Sequence, residues 1–334
     1  MRAVVTGAGG FVGGAIARQL LARGDEVVAL ARGHYPSLEA LGATSAQIDL
    51  TSPAGLDEAL TGADVVFHVA AKTGVWGSRD AFWSINVDGT QALLDAARRV
   101  GVGRFVFTSS PSATFDGHDA DGVAEADCPY PDRFESFYPE SKAEAERRVL
   151  AANAQTFATT ALRPHLVWGP GDPHLLPRVI AKRKQGRLAI VGAGQNRVDL
   201  TFVENAAVAH LQACDALSGS SANAGKAYFV TDGAPVVLWD WLNGFLESVG
   251  LEPVQRRVSL STARKAGAVL EFVWRWLGLK GEPPMTRFIA SQLATAHWYD
   301  LTAAKEDFGY TPLVSPEEGL ERAVVYFRER VEEL

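Results

Sequence analysis

The chain has 334 residues, of which 32 are Lys or Arg and 39 are Asp or Glu, so its formal net charge is −7. This length corresponds to roughly two domains, and a hydrophobic fraction of 47% supplies a large core, which excludes a mainly disordered chain. A mildly acidic protein lacks the positive field that nucleic acid requires, so no nucleic-acid partner is expected.

Cysteine content and hydropathy restrict the class of protein further. Two cysteines, Cys128 and Cys214, are too few for a disulfide framework or a four-thiolate zinc site, and no histidine pair has metal-ligand spacing, so no metal is predicted. No apolar run reaches the roughly 20 residues of a membrane span, and the N terminus lacks a signal-peptide pattern. The expected compartment is therefore the cytoplasm.

The first half of the chain alternates short apolar runs with helical patterns. Strands that are joined by helices pair in parallel through crossover connections. This alternation predicts an α/β fold with a doubly wound parallel sheet of the Rossmann type. The apolar runs are residues 3–5, 26–30, 45–50, 64–69, 104–108 and 158–163, and the helical patterns cover 12–20, 83–99 and 139–154.

The pattern changes after about Gly169, where glycine and proline are frequent and the alternation ends. We expect residues 1–168 to form the dinucleotide-binding domain and residues 169–334 to form mainly a smaller substrate-binding lobe, with some segments returning to the main sheet. Residues 262–279 are predicted to form a helix rich in apolar side chains. We favour packing on the lobe or over the substrate pocket, with contact to a membrane surface as the alternative. The other elements expected here are helices at 238–249 and 316–333 and strands at 198–202 and 226–230.

A glycine-rich segment follows the first predicted strand and precedes the first helical pattern. Gly7, Gly10 and Gly13 have the spacing GxxGxxG. The first glycine permits a tight turn, the second lets the backbone approach a pyrophosphate, and the third allows close helix–strand packing. Free N–H groups at the start of the helix, which begins with Phe11 and Val12, bind an anion. The segment predicts a dinucleotide-phosphate site.

The end of the second strand indicates which dinucleotide is bound. An acidic residue there would hydrogen-bond to a ribose 2′-hydroxyl and repel a 2′-phosphate, but the sequence has Arg32 and no acid. The Arg32 guanidinium is able to pair with a phosphate dianion, and a solvated surface position is the alternative. Asp49 and Leu50 end the third strand and are placed to reach the adenine, whereas Asp49 alternatively caps the turn at 51–53. We predict NADP(H) in preference to NAD(H).

Tyr138 and Lys142 have the YxxxK spacing that places both side chains on one face of a helix. A phenol with a pKa of about 10 is a poor base at neutral pH, and a neighbouring ammonium lowers that pKa. Ser109 and Ser110 follow the fifth strand at the edge of the sheet where ligands bind. A hydroxyl there is able to hold a substrate carbonyl while Tyr138 moves the proton. Strand alternation favours Ser110, with Ser109 or a purely structural serine pair as alternatives.

With these motifs, the chain resembles an extended short-chain dehydrogenase/reductase over nearly its full length. The resemblance implies catalysis by Ser110, Tyr138 and Lys142, with the last two also contacting the cofactor. It also implies that Ala70, Pro164 and His165 line the pyrophosphate and nicotinamide end of the cofactor, and that Asn86 supports this region and binds the cofactor. The motifs are TGAGGFVG at 6–13, HVAA at 68–71, NVDGT at 86–90, TSS at 108–110, YPESK at 138–142 and LRPHLVWGPGDP at 162–173.

Within that superfamily the chain is most similar to the 3β-hydroxysteroid dehydrogenase-like branch. Residues 163–180 and 192–213 resemble both sterol-4-carboxylate 3-dehydrogenases and the bacterial 2-alkyl-3-oxoalkanoate reductases of olefin biosynthesis. Residues 31–36 and 70–78 are more similar to the second group. Both groups act on a carbon that is β to a carboxylate. The first group is typically NAD-linked, so Arg32 favours the second.

We therefore expect NADPH-dependent reduction of a hydrophobic 2-alkyl-3-oxo acid to its 3-hydroxy acid. Ser110 would polarise the carbonyl, Tyr138 would transfer the proton, and Lys142 would lower the Tyr138 pKa and hold the ribose. The alternatives are a sterol-4-carboxylate or 3β-hydroxysteroid 3-dehydrogenase, a nucleotide-sugar epimerase or dehydratase, and a non-catalytic NADP sensor. A homodimer and partner enzymes of one pathway are expected by analogy with the fold alone.

One departure from the epimerase pattern concerns the residue before Asp199. Epimerases of this superfamily commonly carry Arg-Asp before an aromatic strand, where the arginine binds the diphosphate. Here Val198 precedes Asp199, and Arg197 lies one position earlier. Alternation along a strand would point Arg197 to the opposite side, which weakens the case for a nucleotide-sugar substrate.

Overall fold

The strands and helices of this chain come from a computed structural model that describes residues 1–52 and 54–334. The strands are β1 (Arg2–Thr6), β2 (Glu26–Ala31), β3 (Thr44–Gln47), β4 (Val65–His68), β5 (Arg104–Thr108), β6 (Ala120–Val123), β7 (Ala158–Pro164), β8 (Val167–Trp168), β9 (Ile190–Val191), β10 (Arg197–Val198), β11 (Thr201–Phe202), β12 (Ala227–Val230), β13 (Val236–Val237), β14 (Arg257–Val258) and β15 (His297–Tyr299).

Helices connect these strands, and short polar side chains cap several of them. Ser136, Ser259 and Ser315 each accept a backbone N–H from the first turn of the helix that follows, as expected for N-cap residues. The α-helices are α1 (Phe11–Ala22), α2 (Pro36–Glu39), α3 (Leu56–Leu60), α4 (Arg79–Phe82), α5 (Gly89–Arg99), α6 (Phe137–Ala151), α7 (Leu175–Lys184), α8 (Val203–Ala216), α9 (Leu238–Ser248), α10 (Leu260–Leu277), α11 (Arg287–Gln292), α12 (Thr302–Phe308) and α13 (Pro316–Arg328).

The predicted doubly wound parallel sheet is confirmed. Seven parallel strands are ordered β12-β7-β5-β4-β1-β2-β3, so the chain reverses direction across the sheet between β1 and β4. Ligands of such sheets bind at the carboxyl ends of the strands, next to this reversal. Strand β12 joins this sheet from the second half of the sequence, beside β7. The division into two domains at residue 168 stays a prediction.

Helices cover both faces of the main sheet. Ala3 and Val5 of β1 pack on the face that is covered by α1 and α8, whereas Val4 packs on the opposite face with α5 and α6. Successive side chains of a strand point to opposite faces, so a strand that is buried on both faces is continuously apolar. A further apolar cluster lies in the second half of the chain, around Trp168 and Trp239.

The structure differs from the sequence prediction at several elements. Strand β3 ends at Gln47, where its pairing with β2 ends, so Asp49 and Leu50 follow this strand and do not end it. The helix predicted from residue 83 begins as a π-helix, Trp83–Asp88, before α5. The single strand expected at 198–202 is divided into β10 and β11, which belong to different sheets. The division lies at Asp199, whose backbone N–H binds the His297 carbonyl while its carboxylate accepts the Tyr299 N–H, so the chain changes partners there.

Helix α10 leaves one apolar face uncovered. Glu271 is buried on the opposite face and pairs with Arg287, whereas Phe272 and Trp276 are 67% and 76% exposed. Among the described residues, no helix is both long enough and apolar enough to cross a membrane.

Candidate active site

The glycine-rich loop has the geometry that a dinucleotide site requires. Gly7 has a φ of +66°, and a Cβ there would lie 2.9 Å from the backbone of Ala70. A Cβ on Gly13 would lie 2.3 Å from the Gly7 carbonyl oxygen, so a side chain at either position would collide with backbone. Helix α1 begins directly after Gly10, with no acidic residue in its first turn and no side-chain cap. Its first N–H groups are therefore free to bind a phosphate, and the residues fit a dinucleotide.

A cleft of about 840 Å³ extends from this loop along the carboxyl edge of the main sheet. Its volume lies within the roughly 300–1,000 Å³ that is common for ligand sites. Most of the site residues that we predicted line it: Gly7, Gly10, Phe11, Val12, Gly13, Arg32, Asp49, Leu50, Ala70, Ser110, Tyr138, Lys142, Pro164 and His165. The structure therefore brings together residues that are spread over 158 positions of the sequence (7 to 165) in one cavity.

A buried polar network fixes the backbone opposite the glycine loop. The Thr6 hydroxyl accepts the backbone N–H groups of Val69 and Ala70, each at 3.0 Å, and bonds to Nδ1 of His68 at 2.8 Å. The other ring nitrogen of His68 bonds to the Thr90 hydroxyl at 2.8 Å. Burial lowers the pKa of His68 to about 3, so the ring is neutral and able to donate on one side and accept on the other.

Asn86 lies behind the cleft, and it is not among the described residues that line it. Its amide accepts the N–H of Lys72 at 2.7 Å and donates to the carbonyl of Lys72 at 3.1 Å. A further hydrogen bond of 2.9 Å reaches the Ser141 hydroxyl on α6. Asn86, which we predicted to bind the cofactor, therefore uses its amide to hold the segment after β4 against the helix that carries Tyr138. Direct contact with the cofactor stays a prediction.

Ser110 and Tyr138 both line the cleft. Burial raises the pKa of Tyr138, and hydrogen bonding to Ser110 acts in the opposite direction. The Ser110 hydroxyl also lies 2.8 Å from the Ser112 hydroxyl. Ser109 is only 4% exposed and lies beside the buried Glu146 carboxylate. Ser110 is half-buried and lines the cleft with Tyr138, which supports it as the choice between the two serines, and this assignment stays a prediction.

Lys142 departs from the expected arrangement. Its ammonium donates to the Thr108 carbonyl at 2.5 Å and lies 4.2 Å from the centroid of Phe107. Burial lowers the pKa of Lys142 to about 7. We expected the ammonium to lower the pKa of Tyr138, but burial dominates there and raises it. The physical reason is the burial of the phenol, and the Lys142 ammonium binds a backbone carbonyl at the end of β5.

The face of α6 that carries Lys142 continues into a buried ion pair. Glu146 lies one turn further along α6. Its carboxylate accepts hydrogen bonds from Nη2 of Arg163 at 2.6 Å and from Nε of Arg163 at 3.0 Å. The Tyr130 hydroxyl donates to the same carboxylate at 2.6 Å. The Arg163 guanidinium and these hydrogen bonds hold the pKa of Glu146 below its usual range although burial acts to raise it. This pair anchors α6 to β7 beneath the site.

Arg32 and Asp49 lie at the other end of the cleft. Arg32 is exposed at the end of β2, with no hydrogen bond or ion pair to another described residue. The Asp49 carboxylate accepts the backbone N–H of Thr51 at 2.9 Å and its hydroxyl at 2.8 Å, so it caps that turn while also lining the cleft. The last residue of the predicted turn, Pro53, lies outside the described residues. The adenine and 2′-phosphate roles stay predictions.

A buried polar group lines the cleft directly after β7. His165 is 6% exposed, lines the cleft, and keeps its Nε2 without a partner among the described residues. Burial holds the pKa of His165 well below its usual range, so the ring is neutral. Leu166 follows with a φ of +41°, which for a branched side chain costs of the order of 1–3 kcal/mol and is typical of functional sites.

The sequence prediction missed several residues that line the cleft. The Tyr35 ring covers the glycine loop, because a Cβ on Gly9 would lie 1.9 Å from it. Lys72 directly follows the HVAA motif, and its position was the signal that could have identified it. Among the others are Arg178, which lies shortly after the motif at 162–173, and Phe288, Gln292 and Tyr299, which lie outside the motifs.

Comparison with known proteins identifies the family. A model of the 3-beta hydroxysteroid dehydrogenase/isomerase family matches residues 4–261. The 2-alkyl-3-oxoalkanoate reductase of Stenotrophomonas maltophilia is 47% identical over 323 residues, which are 96% of this chain and 98% of that protein. The human sterol-4-alpha-carboxylate 3-dehydrogenase, decarboxylating, is 33% identical over 336 residues, 98% of this chain and 88% of that protein.

A solved structure extends the comparison to the whole fold. MoeE5 in complex with UDP-glucose and NAD has a TM-score of 0.74 and 27% identity, and the match covers 99% of this chain and 100% of that one. These findings confirm the resemblance that the motifs indicated. The chain belongs to the 3-beta hydroxysteroid dehydrogenase/isomerase family, and it is an extended short-chain oxidoreductase that uses a nicotinamide cofactor.

Proposed function

We propose that this enzyme uses NADPH to reduce a hydrophobic 2-alkyl-3-oxo acid to the corresponding 3-hydroxy acid. The observation that carries the proposal is that Ser110, Tyr138 and Lys142 line the same cleft as the glycine loop. Two hydroxyls at this place are able to bind one carbonyl oxygen of a substrate. The relative that is 47% identical over 96% of the chain supports the class of substrate.

Each residue of the site has a separate role in the proposed reduction. A bound nicotinamide supplies the hydride that is added to the carbonyl carbon. Ser110 hydrogen-bonds to the carbonyl oxygen, and Tyr138 donates the proton that this oxygen needs. Because burial raises the pKa of Tyr138, the phenol stays protonated at neutral pH, which is the form that a reductase requires.

Lys142 is placed to support the cofactor and the tyrosine together. It lies one helical turn after Tyr138 on α6, lines the cleft, and is 2% exposed. Its ammonium has three donors, of which the Thr108 carbonyl uses one. The remaining donors are available for the ribose hydroxyls of a bound dinucleotide, and the positive charge would stabilise the phenolate that forms as Tyr138 gives up its proton.

The preference for NADPH rests on Arg32. Its exposed guanidinium lines the cleft at the end of β2, where an acidic residue would select NAD. A guanidinium presents a fork of donors that fits a phosphate dianion. The hydrogen bonds from Thr51, and to a smaller extent the Arg32 charge, hold the pKa of Asp49 below its usual range.

A sterol-4-carboxylate 3-dehydrogenase is the second candidate, because the human enzyme of that name is 33% identical over 98% of this chain. A nucleotide-sugar substrate has less support. Arg197 is exposed and stacks on Trp298 at 4.9 Å, and it is not among the described residues that line the cleft. Its side chain therefore points away from the place where a diphosphate would bind.

The proposal is tested by following the absorbance of the reduced nicotinamide with each pair of cofactor and substrate. NADPH and NADH are each combined with a long-chain 2-alkyl-3-oxo acid, and NADP⁺ and NAD⁺ with the 3-hydroxy acid and with a 4-carboxysterol. We expect the fastest turnover with NADPH and the oxo acid. Oxidation of the sterol without turnover of either acyl compound would overturn the substrate assignment, and a preference for NADH would overturn the cofactor assignment.

A further inference from the structure

We propose that Lys72 binds the carboxylate of the substrate and thereby selects acids over neutral carbonyl compounds. The inference rests on the proposed function, because only an acid substrate presents this group. Nothing in the motifs or in the names of the relatives assigns Lys72 a role. Three observations point to this role: the place of Lys72 in the cleft, the hydrogen bonds that hold its backbone, and the absence of a partner for its ammonium among the described residues.

Lys72 lies at the reacting end of the cleft. It follows β4 at the carboxyl edge of the sheet and lines the same cavity as Ser110 and Tyr138. Its ammonium is 5.1 Å from the centroid of the Phe82 ring. That ring packs edge-on against Tyr138, with 6.3 Å between the centroids. One fully buried aromatic side chain therefore contacts both the lysine and the proton donor.

Hydrogen bonds fix the Lys72 backbone relative to Tyr138. The Asn86 amide binds both the N–H and the carbonyl of Lys72 and also donates to Ser141 at 2.9 Å. The Ser141 hydroxyl in turn donates to the Tyr138 carbonyl at 2.8 Å. A continuous chain of side chains thus ties the lysine to the catalytic tyrosine. Such support is expected where a binding group must be held at a set distance from the reacting atoms.

The Lys72 ammonium has no ion-pair or hydrogen-bond partner in the part of the chain that the structure describes. The other cations of the cleft are engaged or remote. Arg178 pairs with Glu282 at 3.1 Å, and Lys142 donates to a backbone carbonyl. Arg32 lies at the end of β2, beyond the glycine loop. Lys72 is therefore the cation at the reacting end that is available to a carboxylate.

The chemistry of a 3-oxo acid requires a cation at this place. One carbon separates the carboxylate from the carbonyl carbon, so the two groups enter the site together. When Ser110 and Tyr138 hold the carbonyl oxygen, the carboxylate must lie beside them, where an unpaired anion would be costly to desolvate. A lysine ammonium on a flexible stem suits this task, because it is a compact charge that adapts to the position of the anion.

The test compares an acid with its methyl ester in the oxidative direction, where the 3-hydroxy acid is stable. We expect the wild type to oxidise the 2-alkyl-3-hydroxy acid at least tenfold more efficiently than the ester. In Lys72→Met the kcat/KM for the acid should fall roughly 10- to 100-fold, mainly through KM, while the kcat/KM for the ester stays within about twofold. Lys72→Arg should keep part of the preference for the acid.

Arg178→Met is the matched control, because it removes another cation of the same cleft. We expect it to leave the ratio of acid to ester unchanged. Equal losses for acid and ester in Lys72→Met, or a collapse of the ratio in Arg178→Met alone, would overturn the assignment to Lys72. A wild-type enzyme that oxidises neither acyl compound, but does oxidise a sterol, would refute the proposed function instead, so the two failures are distinguishable.

Discussion

The two sides of the cleft are constructed differently. The glycine loop, Ala70 and Ser110 lie at the ends of adjacent parallel strands, and buried hydrogen bonds through Thr6 and His68 fix their backbone. The opposite side is formed by Arg178, on the short helix α7, together with segments that begin more than 100 residues later. The sheet side carries the groups that we propose to react, whereas we expect the other side to fit the shape of the substrate. Loops and element ends on a rigid scaffold commonly have this second task.

The largest effect is expected from the proton donor on the sheet side. Tyr138→Phe removes the hydroxyl that donates the proton while the ring keeps its contact with Phe82. We expect kcat to fall about 10³-fold, the usual range for loss of a general acid, with binding of NADPH within about twofold of the wild type. Steady-state kinetics measure kcat, and a fluorescence titration measures the binding of NADPH. Weak binding of NADPH by this variant would show that the hydroxyl holds the cofactor and would contradict its assignment as proton donor alone.

The rigidity of the sheet side depends on the buried Glu146–Arg163 pair. Glu146→Gln leaves the Arg163 guanidinium buried without its counter-charge, so we expect a loss of about 3–5 kcal/mol in the free energy of unfolding. Denaturation by urea measures this loss. Glu144→Gln, on the same helix but partly exposed and paired with Arg148, should cost less than about 1 kcal/mol. Equal losses in the two variants would mean that the pair does not anchor α6.

The cofactor end of the cleft is tested by Arg32→Ala. Loss of the guanidinium should raise the KM for NADPH about tenfold and leave the KM for NADH within about twofold, because only NADPH carries the 2′-phosphate. Arg197→Ala is the control, since that side chain stacks on Trp298 outside the cleft. Equal changes in the KM for NADPH and the KM for NADH would contradict the assignment of Arg32 to the 2′-phosphate site.

The smallest effect is expected on the adaptable side of the cleft. Glu282 accepts the backbone N–H of Val75 at 3.2 Å and pairs with Arg178, so it joins the two sides. Glu282→Ala should raise the KM for the oxo acid about two- to fivefold and leave the KM for NADPH unchanged, as expected for a partly exposed contact. Glu329→Ala, in an exposed pair at the end of α13, is the control. A change in the KM for NADPH would show that the two sides are not independent.

The contrast between the two sides also explains what the sequence could predict. Gly7, Ser110 and Tyr138 lie in short motifs whose local structure follows from neighbouring residues, and all three line the cleft, while their roles stay predictions. Arg178 and Glu282 are about 100 residues apart in the sequence, and only the folded chain shows that they pair and that Arg178 lines one cavity with Lys72. No local pattern contains such contacts.

Local patterns were also insufficient where tertiary contacts change the properties of a residue. The pKa of Tyr138 follows from burial, which the helical spacing with Lys142 does not report. Asn86 does not line the cleft, because its side-chain amide hydrogen-bonds to the backbone N–H and carbonyl of Lys72. The strand at 198–202 divides because Asp199 binds the backbone of β15.

The most direct test of the central claim follows the hydride itself. The enzyme is supplied with NADPH that carries deuterium at the transferred position of C4 and with a 2-alkyl-3-oxo acid, and the product is analysed by mass spectrometry. We predict one deuterium at C3 of the 3-hydroxy acid for each NADPH consumed, and at least 10²-fold slower labelling with Tyr138→Phe. Consumption of NADPH without label at C3, or labelling of equal rate in the variant, would contradict the account.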